Sequence, residues 1–252
     1  MAWVETHSLS FSARHDAHLA DAAAAMLEDL EDFRDRLEEL FERTPGEISV
    51  VIHPTATQLS LAHPALPLAR MVAAPASRRY FAGWFGSQEI HVLAPEVLEA
   101  RASAVPGSRE ALRLTPLHEY AHVVVGANNR RLPPPFTPQS FHRYVSWAWL
   151  CEGAATHFSG QARYLGGAIL RRLHESGRPS FPPSTRDAFL LGGTVFDLLE
   201  KEKGREACVR LASELHPQGQ RVAIEQAFGA SAREVEEAWR RYLTELTELR
   251  LV

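Results

Sequence analysis

Seven apolar residues, Leu19, Ala23, Met26, Leu30, Phe33, Leu37 and Leu40, follow one another at alternating steps of four and three. That spacing returns a side chain to one face of an α-helix at every turn, so the stretch from His15 to Phe41 reads as a long helix with one buried stripe. A stripe of this length has to be covered. About three heptads with Ala and Phe at core positions make a poor coiled-coil seam, which favours packing on a sheet of the same chain over pairing with a second copy.

Candidate strands flank the helix on both sides. Residues 3 to 11 alternate well enough for a strand, and after Pro45-Gly46 the β-branched run Ile48 to Ile52 reads as a buried one. Residues 54 to 79 are broken by Pro54, Pro64, Pro67 and Pro75 and show no clear period. Residues 80 to 93 suggest a turn-containing pair of strands bent at Gly83 and Gly86, with Glu89 to Leu93 the better defined. Beyond Pro95 helices are expected at about 108 to 127, 147 to 162, 163 to 174, 187 to 203, 205 to 215 and 231 to 250. Pro116 either sits in the first turn of a short helix or kinks a longer one begun at Ser108.

Strands first and helices later predict an α+β fold: a small N-terminal mixed sheet of three to five strands with a long packed helix, then a mainly helical C-terminal lobe. The 252 residues suffice for one core, read as a single domain over 1 to 252 with lobes at about 1 to 107 and 108 to 252. A cleft between the lobes is expected. Oligomeric state is not readable from the residues, and a monomer is the simpler expectation.

Charge and composition exclude several classes. The formal charge of -4 comes from 27 basic against 31 acidic residues with no basic block, so nucleic acid is not an expected partner. No apolar run approaches the roughly 18 residues of a membrane span. Met1 to His7 lack the basic start and apolar stretch of a secretory signal, which makes the cytoplasm the expected compartment. The two cysteines, Cys151 and Cys208, are expected reduced, with Cys151 a packing residue. There is no G-x-S-x-G elbow, no G-x-G-x-x-G run and no Walker sequence.

What remains is a metal pattern. His118-Glu119-Tyr120-Ala121-His122 puts two imidazoles four residues apart, on one face of a helix, where both can reach one ion. Glu119 starts about 100° away on that helix, and in the known zinc arrangement of this motif such a Glu reaches the metal-bound water rather than the metal. After a proline-rich connection long enough to reverse the chain stands Trp147-Ala148-Trp149-Leu150-Cys151-Glu152-Gly153-Ala154-Ala155, with Glu152 30 residues beyond His122. A carboxylate from a returning helix would make Glu152 a third ligand and leave the fourth position open. The small residues after it would let the two helices approach.

The pairing of His-Glu-x-x-His with Trp149-Leu150-Cys151-Glu152-Gly153-Ala154-Ala155 resembles the gluzincin branch of zincin metallopeptidases, specifically the small peptidase MA-like domains. The likeness covers most of residues 1 to 215. It implies a zincin-like fold with one zinc per chain held by His118, His122 and Glu152. It further implies Glu119 as general base, and a peptide or protein substrate extended along the edge strand that precedes the metal helix, here about 88 to 93. Relatives often carry an acidic then an aromatic residue where this chain has Thr156-His157, and a Tyr on a later helix where it has Phe189. Thr156 therefore becomes a candidate to bond a ligand's outer nitrogen, and His157, Tyr164, Tyr144 and His174 become candidate donors to the oxyanion. His53, His63, His91 and His142 lack ligand spacing and are read as structural or exposed. Residues 128 to 138 would border the cleft or form an ordinary loop. Two alternatives to a peptidase stay open: a zinc hydrolase of another amide, and a binding or regulatory domain of zincin fold with weak or no turnover.

Overall fold

A computed structural model describes residues 3–175 and 177–248. The chain runs β1 (Trp3–His7), β2 (Phe11–Asp16), α1 (Ala20–Glu38), β3 (Ile48–His53), α2 (Ala56–Ala62), α3 (Ala65–Val72), β4 (Gly83–Phe85) and β5 (Glu89–Leu93). Then come α4 (Pro95–Arg101), α5 (Ser108–Arg113), α6 (Thr115–Asn128), α7 (Pro138–Ser146), α8 (Ala148–Phe158), α9 (Gly166–His174), α10 (Ala188–Lys203), α11 (Arg205–Ser213), α12 (Gln220–Phe228) and α13 (Ala232–Glu248). The molecule is mixed α+β, with one small sheet and a helical lobe, as the residue pattern predicts. Residues 249 and 250 of the last expected helix lie outside the described residues.

The sheet has the order β1-β2-β3-β5-β4, with β2, β3 and β5 parallel and the two edge strands antiparallel to their neighbours. The expected strand over 3 to 11 is in fact a hairpin. Residues 8 to 10 turn back because Glu31 of α1 accepts hydrogen bonds from the Ser8 hydroxyl and the Ser10 amide, both at 2.6 Å. A second correction concerns the edge. Residues 89–93 are interior, paired on one side with β3 and on the other with β4, so the three-residue strand Gly83–Phe85 is the edge that the sequence reading had placed at 88 to 93.

One face of this sheet carries Phe11, Ala13, Val50, Ile52, Ile90 and Val92 and receives α1 and α6. The stripe on α1 is buried as expected, with Leu27 added, and only Leu40, beyond the helix end, stays partly open. Each large apolar side chain taken from water contributes about 1.5–3 kcal/mol, so tertiary burial rather than helix propensity holds α1 in place. Tyr120 of α6 completes the layer, edge-on to Phe11 at 5.0 Å and donating its hydroxyl to the Pro45 carbonyl at 2.7 Å. Pro116 falls in the first turn of α6, where its missing amide costs nothing, and the chain breaks at Leu114 into two helices instead of kinking one.

In the helical lobe α8 lies back to back on α10. A Cβ on Gly192 would come within 2.3 Å of the Trp149 carbonyl oxygen, and one on Gly153 within 2.6 Å of the Gly192 carbonyl carbon. Only hydrogen fits there, and this contact sets how deeply α8 sits. The segment between α9 and α10 is tied down by a buried two-point pair, Arg172 Nε to Asp187 Oδ1 at 2.5 Å and Nη2 to Oδ2 at 3.0 Å.

The other sheet face holds three of the unassigned histidines. His53 and His91 share a hydrogen bond at 2.9 Å, His91 Nε2 meets Glu89 Oε1 at 2.5 Å, and His63, just past α2, stacks on Trp84. Ring packing and these hydrogen bonds engage all three, and none belongs to the one group of converging ligand atoms found among the described residues. Burial, with the neighbouring His91 adding to it, pushes His53 and His63 down to about 4 from 6.5. The unfolded chain therefore takes up protons below pH 6.5 that the folded chain refuses until about pH 4, and stability falls across that window as the medium is acidified. The urea midpoint should drop between pH 6.5 and 4, and drop less in His53→Gln; identical pH profiles for the two proteins would contradict the assignment.

Candidate metal centre

Helices α6 and α8 pack face to face and bring the three expected ligands together. His118 and His122, one turn apart on α6, place their Nε2 atoms 3.1 Å from each other. Glu152 of α8 sets Oε2 at 3.5 Å from His118 Nε2 and Oε1 at 3.5 Å from His122 Nε2. Ligand atoms about 2.0–2.1 Å from a tetrahedral ion stand roughly 3.3–3.4 Å from one another, so these separations are those of a closed three-ligand set around a single ion. Among the described residues this is the only such group of three His, Cys, Asp or Glu side chains.

The donor chemistry fits a cation as well. All three residues are buried, and burial forces His122 down to about 3, leaving a neutral imidazole. Burial opposes ionisation of Glu152, yet His122, His118 and the Tyr144 hydroxyl together hold it at about 2. A neutral nitrogen and an ionised carboxylate are the protonation states a metal ligand requires. Phe85 of β4 stacks on the His122 ring at 4.3 Å, and Phe189 of α10 lies against His118 at 5.3 Å, so apolar rings fix both imidazoles. His118 Nδ1 is buried with no hydrogen-bond partner. The outer nitrogen of this ligand is thus not oriented by Thr156, whose hydroxyl instead donates to the backbone carbonyls of Glu152 and Gly153 at 2.8 and 3.1 Å.

Glu119 stands beside the set rather than in it. Its carboxylate lies directly against edge strand β4: a Cβ on Gly83 would come within 2.5 Å of Glu119 Oε1. Burial first, and the charge of Glu152 second, raise its pKa well above the ordinary carboxylate value. A carboxyl poised this way takes and gives up a proton readily once a cation sits nearby.

Of the four candidate donors, one reaches the site. Tyr144, on α7, donates its hydroxyl to Glu152 Oε1. His157 is engaged elsewhere, its Nδ1 on Asp197 at 2.7 Å and its Nε2 facing Glu200; Tyr164 lies under Arg163; His174 is exposed at the end of α9. His142 is exposed too, and both cysteines are free and buried. The 128 to 138 connection packs Phe136 against Phe85 and Tyr144, and none of its residues lines the cleft that holds the three ligands. Gly83, read from the sequence only as a bend, lies in strand β4, while Phe85 and the position of Tyr144 carried no sequence signal, because they depend on that short strand and on α7 lying across α6 and α8.

No protein-family model matches the chain, and comparison with curated proteins finds no relative. Among the described residues no helix is long and apolar enough to cross a membrane. The site therefore rests on its own geometry. Titration calorimetry with a divalent transition metal should show one ion per chain for the natural protein. Affinity should fall at least about a hundredfold in His118→Ala and in Glu152→Ala, since each removes one of three ligands. Unchanged binding in either variant would remove that residue from the set.

Proposed function

We propose that the chain is a zinc-dependent peptidase of the gluzincin type, with His118, His122 and Glu152 as ligands and Glu119 as general base. The observation that carries this reading is the single constellation of three converging ligands with a fourth, unliganded carboxylate pressed against an open sheet edge. Two imidazoles and one carboxylate favour zinc among the common divalent ions. The zincin-like reading of the fold draws support from an antiparallel edge strand lying along the metal helix, with the third ligand on the next long buried helix.

The backbone of β4 favours a peptide over another amide. Its bonded partners are Ala82 with Leu93 and Gly86 with Glu89, and strict antiparallel alternation makes Trp84 with His91 the pair between them. Gly83 and Phe85 consequently turn their N–H and C=O groups to the open side, where an extended chain can add as a further strand. Gly83 then sets the substrate backbone beside Glu119.

Bound zinc would supply a Lewis acid for a water and for the substrate carbonyl. Glu119 takes the proton from that water and passes it to the departing nitrogen, which returns the carboxylate to its starting state. Tyr144 keeps its proton, burial and the adjacent Glu152 charge raising its pKa well above 10, and so remains a donor. Its one O–H goes to Glu152 Oε1 and orients that ligand; once the carboxylate oxygen is taken by an ion, the same O–H is free to turn to the developing oxyanion, the role that Phe189 cannot fill. Phe85 and Phe189 keep bulk water from the reacting groups.

Two substitutions separate these roles. Glu119→Gln should keep one zinc per chain and lose about 10²–10⁴-fold in kcat on a mixed peptide library. Tyr144→Phe should also keep zinc and lose about 10²–10³-fold in kcat with little change in KM. Wild-type turnover in Glu119→Gln would eliminate the assigned base, and a Tyr144→Phe effect confined to zinc retention would reduce Tyr144 to a support for Glu152.

A further inference from the structure

Four residues at the cleft mouth are apolar, line the cavity and are open to solvent at once. Leu68 and Val72 of α3 are 64% and 60% exposed, and Phe141 and Val145 of α7 are 44% and 41% exposed. Their cavity, about 450 Å³, runs down to the metal ligands over Phe81 and Phe189. This volume falls within the roughly 300–1,000 Å³ of clefts that enclose a ligand. Large apolar side chains left open on both lips of one cleft mark a contact surface rather than chance exposure.

The charges of the cleft are as informative as its apolar walls. No Lys, Arg or Asp is among its lining residues, and its only carboxylates are Glu119 and Glu152 at the ligand end. A terminal carboxylate drawn into an apolar cleft needs a cation, and a terminal ammonium needs an anion not otherwise engaged. The lining has no such cation, and its one unliganded carboxyl, Glu119, is committed to the proton transfer. Arg70, on α3 between the two lip residues, is not part of the lining, and its guanidinium donates to the Phe81 carbonyl at 2.7 and 3.0 Å and to Ser60 Oγ at 3.3 Å.

We infer that the cleft receives internal, apolar stretches of polypeptide, entering between α3 and α7, and so acts within chains rather than at their ends. The inference rests on the peptidase reading and specifies its substrate. Two recognition elements lie side by side. The outward N–H and C=O groups of Gly83 and Phe85 take the substrate backbone, and the α3 and α7 walls take the side chains that alternate along it. An acyl chain or a bilayer surface satisfies only the second element, whereas a polypeptide satisfies both.

The test uses the zinc-loaded full chain and fluorescence-quenched decapeptides with acetylated and amidated ends. Leu or Phe flanks the central bond in one set, and Asp or Lys in another. The blocked apolar peptides should be cut internally, with kcat/KM at least about tenfold above the charged ones. Val72→Asp and Val145→Asp, at positions exposed enough to accept the change, should lower kcat/KM on apolar peptides about tenfold at unchanged zinc content and unchanged thermal midpoint. Equal cutting of charged and apolar peptides, or a requirement for a free terminus, would overturn the inference while leaving the peptidase reading intact. Binding is followed separately by fluorescence anisotropy on zinc-loaded Glu119→Gln. Selective binding of apolar peptides there, lost in the added Val72→Asp, with no cleavage by the natural protein, would uphold the inferred occupant and remove the peptidase reading. Co-sedimentation with phosphatidylcholine vesicles, without any selectivity among peptides, would overturn the inference in favour of a lipid surface.

Discussion

An ionised carboxylate buried among apolar rings is the constraint on which the rest of the molecule turns. Taking Glu152 out of water costs several kcal/mol, which two imidazoles and one phenol offset only in part. A divalent cation between Nε2 of His118, Nε2 of His122 and the Glu152 oxygens answers that cost directly. The surroundings serve the same end. Glycines 153 and 192 let α8 sink onto α10 so that Glu152 reaches α6, while Phe85 and Phe189 fix the rings from two sides.

The sheet then determines what can approach the site. Since β4 is antiparallel and only three residues long, it ends the sheet directly above α6 and leaves a short row of free backbone groups there. Gly83 brings that row within touching distance of Glu119, because any side chain at 83 would occupy the place of the carboxylate. Helices α3 and α7 extend the same site outward as two apolar walls. Unpaired backbone groups, apolar walls and a buried carboxyl thus meet at one strand edge.

Legibility in the sequence followed the strength of the periodic signal. The α1 stripe, the buried strands Ile48–His53 and Glu89–Leu93, and most of the C-terminal helices could be read because many residues repeat one pattern. Helices α2, α3, α4, α7 and α12 could not: each has seven to nine residues, and prolines at 64, 95 and 138 that looked like breaks are instead helix starts. Strand β2 escaped because its last residues, His15 and Asp16, run into the helical pattern that begins there, and the turn before it depends on Glu31, distant in sequence. The candidate ligands His118 and His122 were legible because a helix fixes their spacing. Which strand formed the edge was not, since strand order depends on partners that local pattern does not name. Tyr144 was one of four equivalent candidates until α7 was seen to cross the site.

X-ray absorption at the zinc edge of the metal-loaded protein tests the central claim most directly, because it reports the ligand shell whatever the substrate proves to be. The account predicts a four-coordinate zinc with two imidazole nitrogens at about 2.0–2.1 Å and oxygen donors at about 2.0–2.2 Å, and one imidazole fewer in His122→Ala. A six-coordinate shell of oxygens without imidazole, or a shell unaltered in His122→Ala, would contradict it.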